Sequence, residues 1–319
     1  MSDKNNSPLI EVKNLKMYFD ISTGVFSSKP LKAVDDVSFS INKGETLGLV
    51  GESGCGKSTL AQALVGLQPF ASGNYFLNGK SVDLKSEKEW KSVRNSVQMI
   101  FQDPYSSLNP RQKVLDILSY PLRYRCFSEK ECFKKAEEVL EKVGLPLVSL
   151  EKYPHEFSGG QRQRLGIARA LMTNPEVLVC DEVTSALDVS VQAQVLKLLD
   201  TLRTDLNLAI IFISHDMQVV QTLADKVMVM YLGQSLEEGK VEDVFKNPLH
   251  PYTQALIQSV PTLEFGHPPE ILSGEIVKSS LGCVFAPRCS LAKEICFSQC
   301  PNLNGGERKI RCLFVNQDA

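Results

Sequence analysis

No stretch of this 319-residue chain stays apolar for long enough to cross a bilayer. Its longest apolar runs, such as 206–214 and 227–232, fall far short of the roughly 20 residues a membrane-spanning helix needs. A surplus of one charge sign is missing as well: 35 Lys and Arg stand against 37 Asp and Glu, for a formal net charge of −2. Nothing in that balance calls for bulk electrostatic binding to nucleic acid or to an anionic membrane. The opening residues, MSDKNNSPLIEV, carry no apolar core of the secretory kind, so no signal peptide is expected. Internal repeats and low-complexity tracts are lacking too. What remains is expected to be a cytosolic chain whose membrane association, if any, comes through a partner. With 43% hydrophobic residues it can bury a substantial core, as one large domain with an extension or as two domains.

Cysteine is present but unevenly spread. Cys55, Cys126, Cys132 and Cys180 are scattered over the first two-thirds and read as reduced thiols of a reducing compartment. Cys283, Cys289, Cys296, Cys300 and Cys312 crowd together near the end, which marks a separate C-terminal module.

Apolar, β-rich runs at 46–50, 177–180, 209–214 and 226–231 alternate with helical patterns that include 57–65 and 191–203. This alternation predicts an α/β fold with a largely parallel sheet. Segments 9–18, 33–41 and 73–84 alternate instead like an antiparallel β layer. From Pro104 to about Asn174 the pattern is mostly helical. Its clearest amphipathic segment is 129–143, with Phe133, Ala136 and Leu140 opposite a charged face. The Asn247-Pro248-Leu249-His250-Pro251 run is a turn-rich boundary, and beyond Pro261 little regular structure is predictable.

Gly51-Glu52-Ser53-Gly54-Cys55-Gly56-Lys57-Ser58 fits G-x4-G-K-S between a strand and a helix. Glycines at these positions let backbone N–H groups close around phosphates. Lys57 neutralises the β/γ oxygens, and the Ser58 hydroxyl is offered to Mg²⁺. The run at 177–182 is a buried strand that ends in Asp181 and Glu182, where ligands bind in open α/β sheets. Asp181 is then placed to hold Mg²⁺ and Glu182 to polarise an attacking water. His215 follows another strand and can hydrogen-bond a γ-phosphate and that water, while Gln102 can coordinate Mg²⁺ or water without a charge cost. Phe157-Ser158-Gly159-Gly160-Gln161 opens a helix with a hydroxyl and bare N–H groups at its positive end, which suits an anion. One chain thus carries two phosphate-binding devices, and the economical arrangement is two chains facing each other.

Walker A (Gly51–Thr59), Gln102 of a Q-loop, the signature Ser158–Gln161, Walker B ending in Asp181 and Glu182, the D-loop Ser185-Ala186-Leu187-Asp188 and His215 follow one another as in an ABC transporter ATPase. The chain resembles that family over about residues 10–245. The resemblance implies a P-loop core of RecA type, an antiparallel β subdomain, and a helical subdomain at about 103–174. It also implies a head-to-tail dimer that sandwiches two ATPs between Walker A (Gly51, Glu52, Ser53, Gly54, Cys55, Gly56, Lys57, Ser58, Thr59) and the opposing signature Ser158, Gly159, Gly160 and Gln161, with Asp188 at the contact. Glu182, His215 and Lys57 are the implied catalytic set, with Ser58, Gln102 and Asp181 around Mg²⁺. The family's adenine-stacking aromatic falls by position on Phe19, with Tyr18 as second choice. The residue after the catalytic acid is usually Pro in the family; here it is Val183, which suggests a looser backbone.

Three further segments, 101–110, 185–192 and 247–253, are similar to the oligopeptide/dipeptide importer branch, notably its F-type ATP-binding subunit. That likeness extends over nearly the whole chain and divides it into a disordered start (1–8), an ATPase domain (9–246) and a C-terminal extension (247–319). It implies an ATPase that powers peptide import from the cytoplasmic face of the cell membrane. Its partners would be a paralogous ATPase or a second copy, two transmembrane permease subunits and an extracytoplasmic peptide-binding protein, with no nucleic acid. Segment 103–124 would form the groove for a permease helix. Nickel, glutathione and antimicrobial-peptide transport use similar ATPases and stay open as alternatives. A non-transport ABC ATPase is disfavoured by the single cassette without a heptad tract. The spacing of Cys283, Cys289, Cys296 and Cys312 resembles a Cys pattern of this branch that is thought to hold an iron–sulfur cluster. Four thiolates suit iron–sulfur or zinc, and a packed cysteine-rich cap without metal is the third reading.

Overall fold

A computed structural model describes residues 7–24, 27–259 and 281–315. Of the disorder expected at 1–8, positions 1–6 lie outside these residues, as do 261–280 and 316–319 of the tail expected to hold little regular structure. The described part of that tail, 281–315, holds only elements of two to five residues. Twelve strands are found among the described residues: β1 (Ile10–Gly24), β2 (Ser27–Ile41), β3 (Thr46–Val50), β4 (Ser72–Leu77), β5 (Lys80–Ser81), β6 (Val97–Ile100), β7 (Val177–Asp181), β8 (Ala209–Ile213), β9 (Lys226–Tyr231), β10 (Gln234–Lys240), β11 (Asn304–Gly305) and β12 (Lys309–Ile310). The smaller sheet, ordered β2-β1-β4-β5, is antiparallel. The larger runs β11-β12-β10-β9-β3-β8-β7-β6, with β6, β7, β8, β3 and β9 mutually parallel.

The parallel strands read as continuous apolar runs because both of their faces are covered. Every residue of β3, β7 and β8 is buried. Alternation then splits each strand between two cores. Leu178, Cys180, Ile210 and Phe212 face the helical side, while Val177, Val179, Ile211 and Ile213 face the side that carries the antiparallel sheet. The sheet is therefore the partition on which everything else is hung, and the carboxyl ends of β3, β7 and β8 open on one edge.

Helix boundaries follow their caps. The expected 191–203 helix is longer, Val189–Leu206, because Asp188 caps it and accepts from the Val191 N–H at 3.0 Å. The amphipathic helix Glu129–Lys142 starts from a Ser128/Glu131 capping box. It buries Cys132, Ala136, Val139 and Leu140, whereas Phe133, expected on the apolar face, is exposed. The stripe is rotated by one position, since Cys132 packs as a small hydrophobe where a reading by charge alone sees none.

The cysteine-rich end, read from composition as a separate module, shares the main sheet: β12 pairs with β10 through Glu237↔Ile310, and β11 with β12. Buried Glu237 ties the joint. It accepts from the N–H groups of Leu249 (3.1 Å) and His250 (2.9 Å) and from Arg308 Nε at 3.1 Å. A carboxylate without exposure needs such partners, since burying it unpaired is costly.

Candidate active site

The loop after β3 wraps a cleft of about 530 Å³. Its shape depends on glycine at two points. A Cβ on Gly51 (φ 147°) would meet the Met230 carbonyl oxygen at 2.1 Å, and one on Gly56 (φ 106°) the Ala33 carbonyl oxygen at 2.1 Å. Only glycine permits both the backbone angles and that approach. Gly233, in the turn between β9 and β10, closes the loop from outside by donating its N–H to Cys55 O at 2.8 Å and accepting from the Asp35 N–H at 2.7 Å. Lys57, at the head of the helix Lys57–Leu64, is buried and donates from Nζ to Gly51 O (2.8 Å) and Glu52 O (3.0 Å). Ser53, Gly54, Gly56, Lys57, Ser58 and Thr59 all line the cleft, as do Gln102 and Glu182 from neighbouring strands. Cys55 lines no part of it; its buried thiol packs against the core, and burial raises its pKa. Glu52 points away, toward the C-terminal segment.

Two carboxylates arrive from the end of β7. Asp181 closes the strand, is 5% exposed, and accepts from Ser58 Oγ at 3.0 Å. Burial holds its pKa above the usual carboxylate range, the Ser58 hydrogen bond opposing and the neighbouring Glu182 reinforcing the rise. Glu182 turns off the strand in the left-handed region (φ 46°), a strained conformation for a residue with a Cβ that is typical of functional sites. Its side chain accepts from Gln102 Nε2 at Oε2 (2.7 Å), and His215 Nδ1 lies 3.4 Å from Oε1. The structure thus gathers Lys57, Ser58, Gln102, Asp181, Glu182 and His215, from four separate elements, at one sheet edge. A looser backbone beside Val183 is not found. Val183 is 2% exposed in the core, and Glu182 is pinned through its N–H to Ile213 O (3.0 Å) and through its carbonyl to Ser185 Oγ (2.9 Å).

A hydroxyl, a buried carboxylate whose charged form is disfavoured by burial, and a neutral side-chain amide are the hard oxygen donors that suit Mg²⁺. Ser58, Asp181 and Gln102 supply them, so the residues fit the ion.

Ser158 caps the helix Gly159–Leu171. Its Oγ accepts from the Gln161 N–H at 3.4 Å, and Gln161 Oε1 accepts the Ser158 N–H at 3.0 Å. A Cβ on Gly160 would strike Val191 Cγ1 at 2.3 Å, and one on Gly159 would touch Leu187, so this run lies against the D-loop and its helix. Asp188 heads that helix, its pKa held down by the Ser190 hydroxyl and the Val191 N–H. None of Ser158, Gly159, Gly160, Gln161 and Asp188 lines the cleft of their own chain.

Phe19 is partly buried and packed against the core beneath the β layer, and it does not line the cleft. Tyr18 has the exposed ring, with its hydroxyl donated to Asp35 at 2.6 Å. The cleft wall here is Leu31, Lys32 and Ala33 of β2, with Leu232 and Gly233 opposite. Sequence reasoning missed these residues, and only the Leu232-Gly233 turn carries a local signal.

Cys283, Cys289, Cys296 and Cys312 line a second pocket of about 90 Å³, with Cys300 outside it. Burial pushes the Cys283 thiol up to about 11, with nearby Cys296 and Cys289 adding to the rise, and raises Cys289 as well. Among the described residues no three His, Cys, Asp or Glu gather to hold a metal. Burial thus works against the thiolate form of Cys283 and Cys289, the form a metal cluster requires.

A phosphate loop, a strand-end acid pair and a capped signature helix on a mixed sheet define a P-loop ATPase of the ATP-binding-cassette type. The "ABC transporter" family matches residues 34–185, and "Oligopeptide/dipeptide transporter, C-terminal region" matches 236–296. The oligopeptide transport ATP-binding protein AppF of Bacillus subtilis is 47% identical over 312 residues, covering 94% of this chain and 95% of the relative. The oligopeptide transport ATP-binding protein OppF of Escherichia coli is 45% identical, covering 97% and 96%. Among solved structures, cbiO1 of Clostridium perfringens, part of the ABC transporter complex cbiONQ, superposes with a TM-score of 0.66 at 29% identity, covering 75% of this chain and 91% of that one. The dimeric ATP-binding cassette MJ0796, bound to ADP and Pi, gives 0.64 at 25%, covering 73% and 98%. This chain belongs to the ABC transporter ATP-binding proteins, in the oligopeptide/dipeptide branch.

Proposed function

We propose that the chain hydrolyses ATP to drive uptake of oligopeptides or dipeptides, docked on the cytoplasmic face of the cell membrane against two permease subunits that a peptide-binding protein supplies. The observation that carries the reading is the convergence of Ser58, Asp181, Gln102 and His215 at one sheet edge, with Glu182 hydrogen-bonded to Gln102 and beside His215. Loop N–H groups and Lys57 hold the β- and γ-phosphates. Mg²⁺, when bound, supplies charge neutralisation across those phosphates. Glu182 orients and polarises the attacking water while Gln102 and His215 fix the rotamer of its carboxylate. The signature of an opposing ATPase, a paralogue rather than a second copy, completes the charge stabilisation around the γ-phosphate. Neither Phe19 nor Tyr18 lines the cleft, and of the two Tyr18 has the more exposed ring. For the cysteine pocket, iron assayed after anaerobic purification is expected at background; stoichiometric iron would restore the cluster.

The test is Glu182→Gln in the chain assembled with its permease subunits. The variant is expected to keep ATP bound and to lose hydrolysis by about a hundredfold or more, and labelled-peptide uptake with it. Hydrolysis at the wild-type rate would refute the role of Glu182. Normal hydrolysis without peptide uptake by the intact wild-type assembly would refute the substrate class.

A further inference from the structure

Glu52, the second residue of the phosphate loop, is held by three separate parts of the chain. Its N–H donates to Tyr252 Oη at 2.9 Å. Its carbonyl accepts from Lys57 Nζ at 3.0 Å. Its carboxylate receives both terminal nitrogens of Arg288, Nη1 to Oε2 at 2.7 Å and Nη2 to Oε1 at 2.9 Å. This paired fork is the strongest and most directional form of a guanidinium–carboxylate contact.

The clamp is built rather than incidental. The Arg288 side chain is 4% exposed and that of Glu52 is 26% exposed. Arg288 Nη1 also donates to Tyr231 Oη at 3.3 Å, and its guanidinium lies 5.8 Å from the Tyr231 ring centre. Tyr231 ends β9, whose Met230 carbonyl sits against Gly51 of the same loop. Tyr231, Tyr252 and Phe285 pack ring on ring, with centroids 4.7, 5.4 and 5.2 Å apart. Arg288 ends a short 3₁₀ turn, Ala286–Arg288, between Cys283 and Cys289. The turn is fixed by N–H donation from Ala286 to Cys283 O (3.1 Å) and from Arg288 to Phe285 O (3.0 Å).

An acid in a loop that must receive a polyanion opposes binding unless it is neutralised and turned away. We propose that Arg288 is a positioning residue of the ATP site: it neutralises Glu52, draws the carboxylate out of the cleft, and so fixes the peptide whose carbonyl holds Lys57. The C-terminal segment is then a structural component of the phosphate site. This rests on the reading of the loop as an ATP site.

The test measures binding of a fluorescent ATP analogue with Mg²⁺ to the full chain and three variants: Arg288→Gln, Glu52→Gln and the double substitution. Arg288→Gln is expected to weaken binding about tenfold or more, because it leaves an unpaired carboxylate beside the phosphates. Glu52→Gln in the same chain is expected to restore binding to within about threefold, because no charge then needs neutralising. A merely structural role for Arg288 would leave the double variant as weak as the single one. Wild-type affinity in Arg288→Gln, or a double variant no better than Arg288→Gln, overturns the proposal. If Arg288→Gln fails to fold by circular dichroism, Arg288→Lys is read with and without Glu52→Gln: a loss of affinity that Glu52→Gln reverses supports the proposal, and a double variant no better than Arg288→Lys overturns it. Absence of binding by the wild-type chain itself would instead refute the ATP-site reading.

Discussion

Ser58 donates its hydroxyl to Asp181 Oδ1 at 3.0 Å across 123 positions of sequence, joining the phosphate loop to the end of β7. The bond offsets part of what burial of Asp181 costs, and burial still dominates, holding the pKa of that carboxyl up. A carboxyl whose folded pKa exceeds its unfolded value binds its proton more tightly when folded. Its contribution to stability therefore falls as pH rises from the unfolded value through the raised one, and at neutral pH the ionised Asp181 is a net cost. Asp181→Asn is expected to raise the thermal midpoint of the nucleotide-free chain, because it removes the buried charge. Mg²⁺-dependent hydrolysis is expected to fall by about a hundredfold or more. Differential scanning fluorimetry and phosphate release check the two halves, and a lowered midpoint would contradict the electrostatic argument.

Gly56 and Gly54 separate crowding from strain. Both have positive φ, but a Cβ on Gly56 meets backbone at 2.1 Å whereas one on Gly54 meets nothing within 4 Å. Gly54→Ala is expected to cost only conformational strain, about 1–2 kcal/mol. Gly56→Ala must also displace β2 at Ala33, and its cost is expected to exceed about 3 kcal/mol. Urea unfolding of the two variants checks the order.

Local chemistry made much of this legible. The glycine spacing, Lys57 and Ser58 identified the phosphate loop, and the apolar strands ending in Asp181 and before His215 located the sheet edge, because buried parallel strands and strand-end acids leave marks within a few residues. The contact of Arg288 with Glu52 spans 236 positions and leaves no local mark. Strands β11 and β12 are two residues each and carry no period. Phe19 was placed by position along the chain, but which face of a bulged hairpin a residue occupies depends on register, and register shifts interrupt β1 on both sides of that residue.

His250 gives the C-terminal joint a pH signature. It is buried, and burial drives its pKa down to about 3, with the Arg311 backbone opposing. Its neutral Nδ1 accepts from the Tyr252 N–H at 3.0 Å and caps the helix Pro251–Gln258. A histidine with a depressed folded pKa stabilises fully above its unfolded value near 6.5 and loses that contribution as pH falls toward 3. The wild-type chain is therefore expected to lose about 1.4 kcal/mol per pH unit from this group in that window. His250→Asn keeps a capping acceptor but does not titrate. Its unfolding free energy plotted against pH is expected to be shallower by about one proton; an unchanged slope would count against the role.

The central claim is that each ATP is held by this chain's phosphate loop and by the signature of a different chain. Ser158→Arg tests it most directly, because Ser158 heads its own helix outside the cleft of its own chain. The measurement is the ATP affinity of the isolated variant set beside its hydrolysis rate in the full assembly. The account predicts an affinity within about twofold of wild type for the isolated chain, and hydrolysis reduced about a hundredfold or more once assembled. An isolated Ser158→Arg chain that binds ATP markedly more weakly would contradict it, by placing the signature in the site of its own chain.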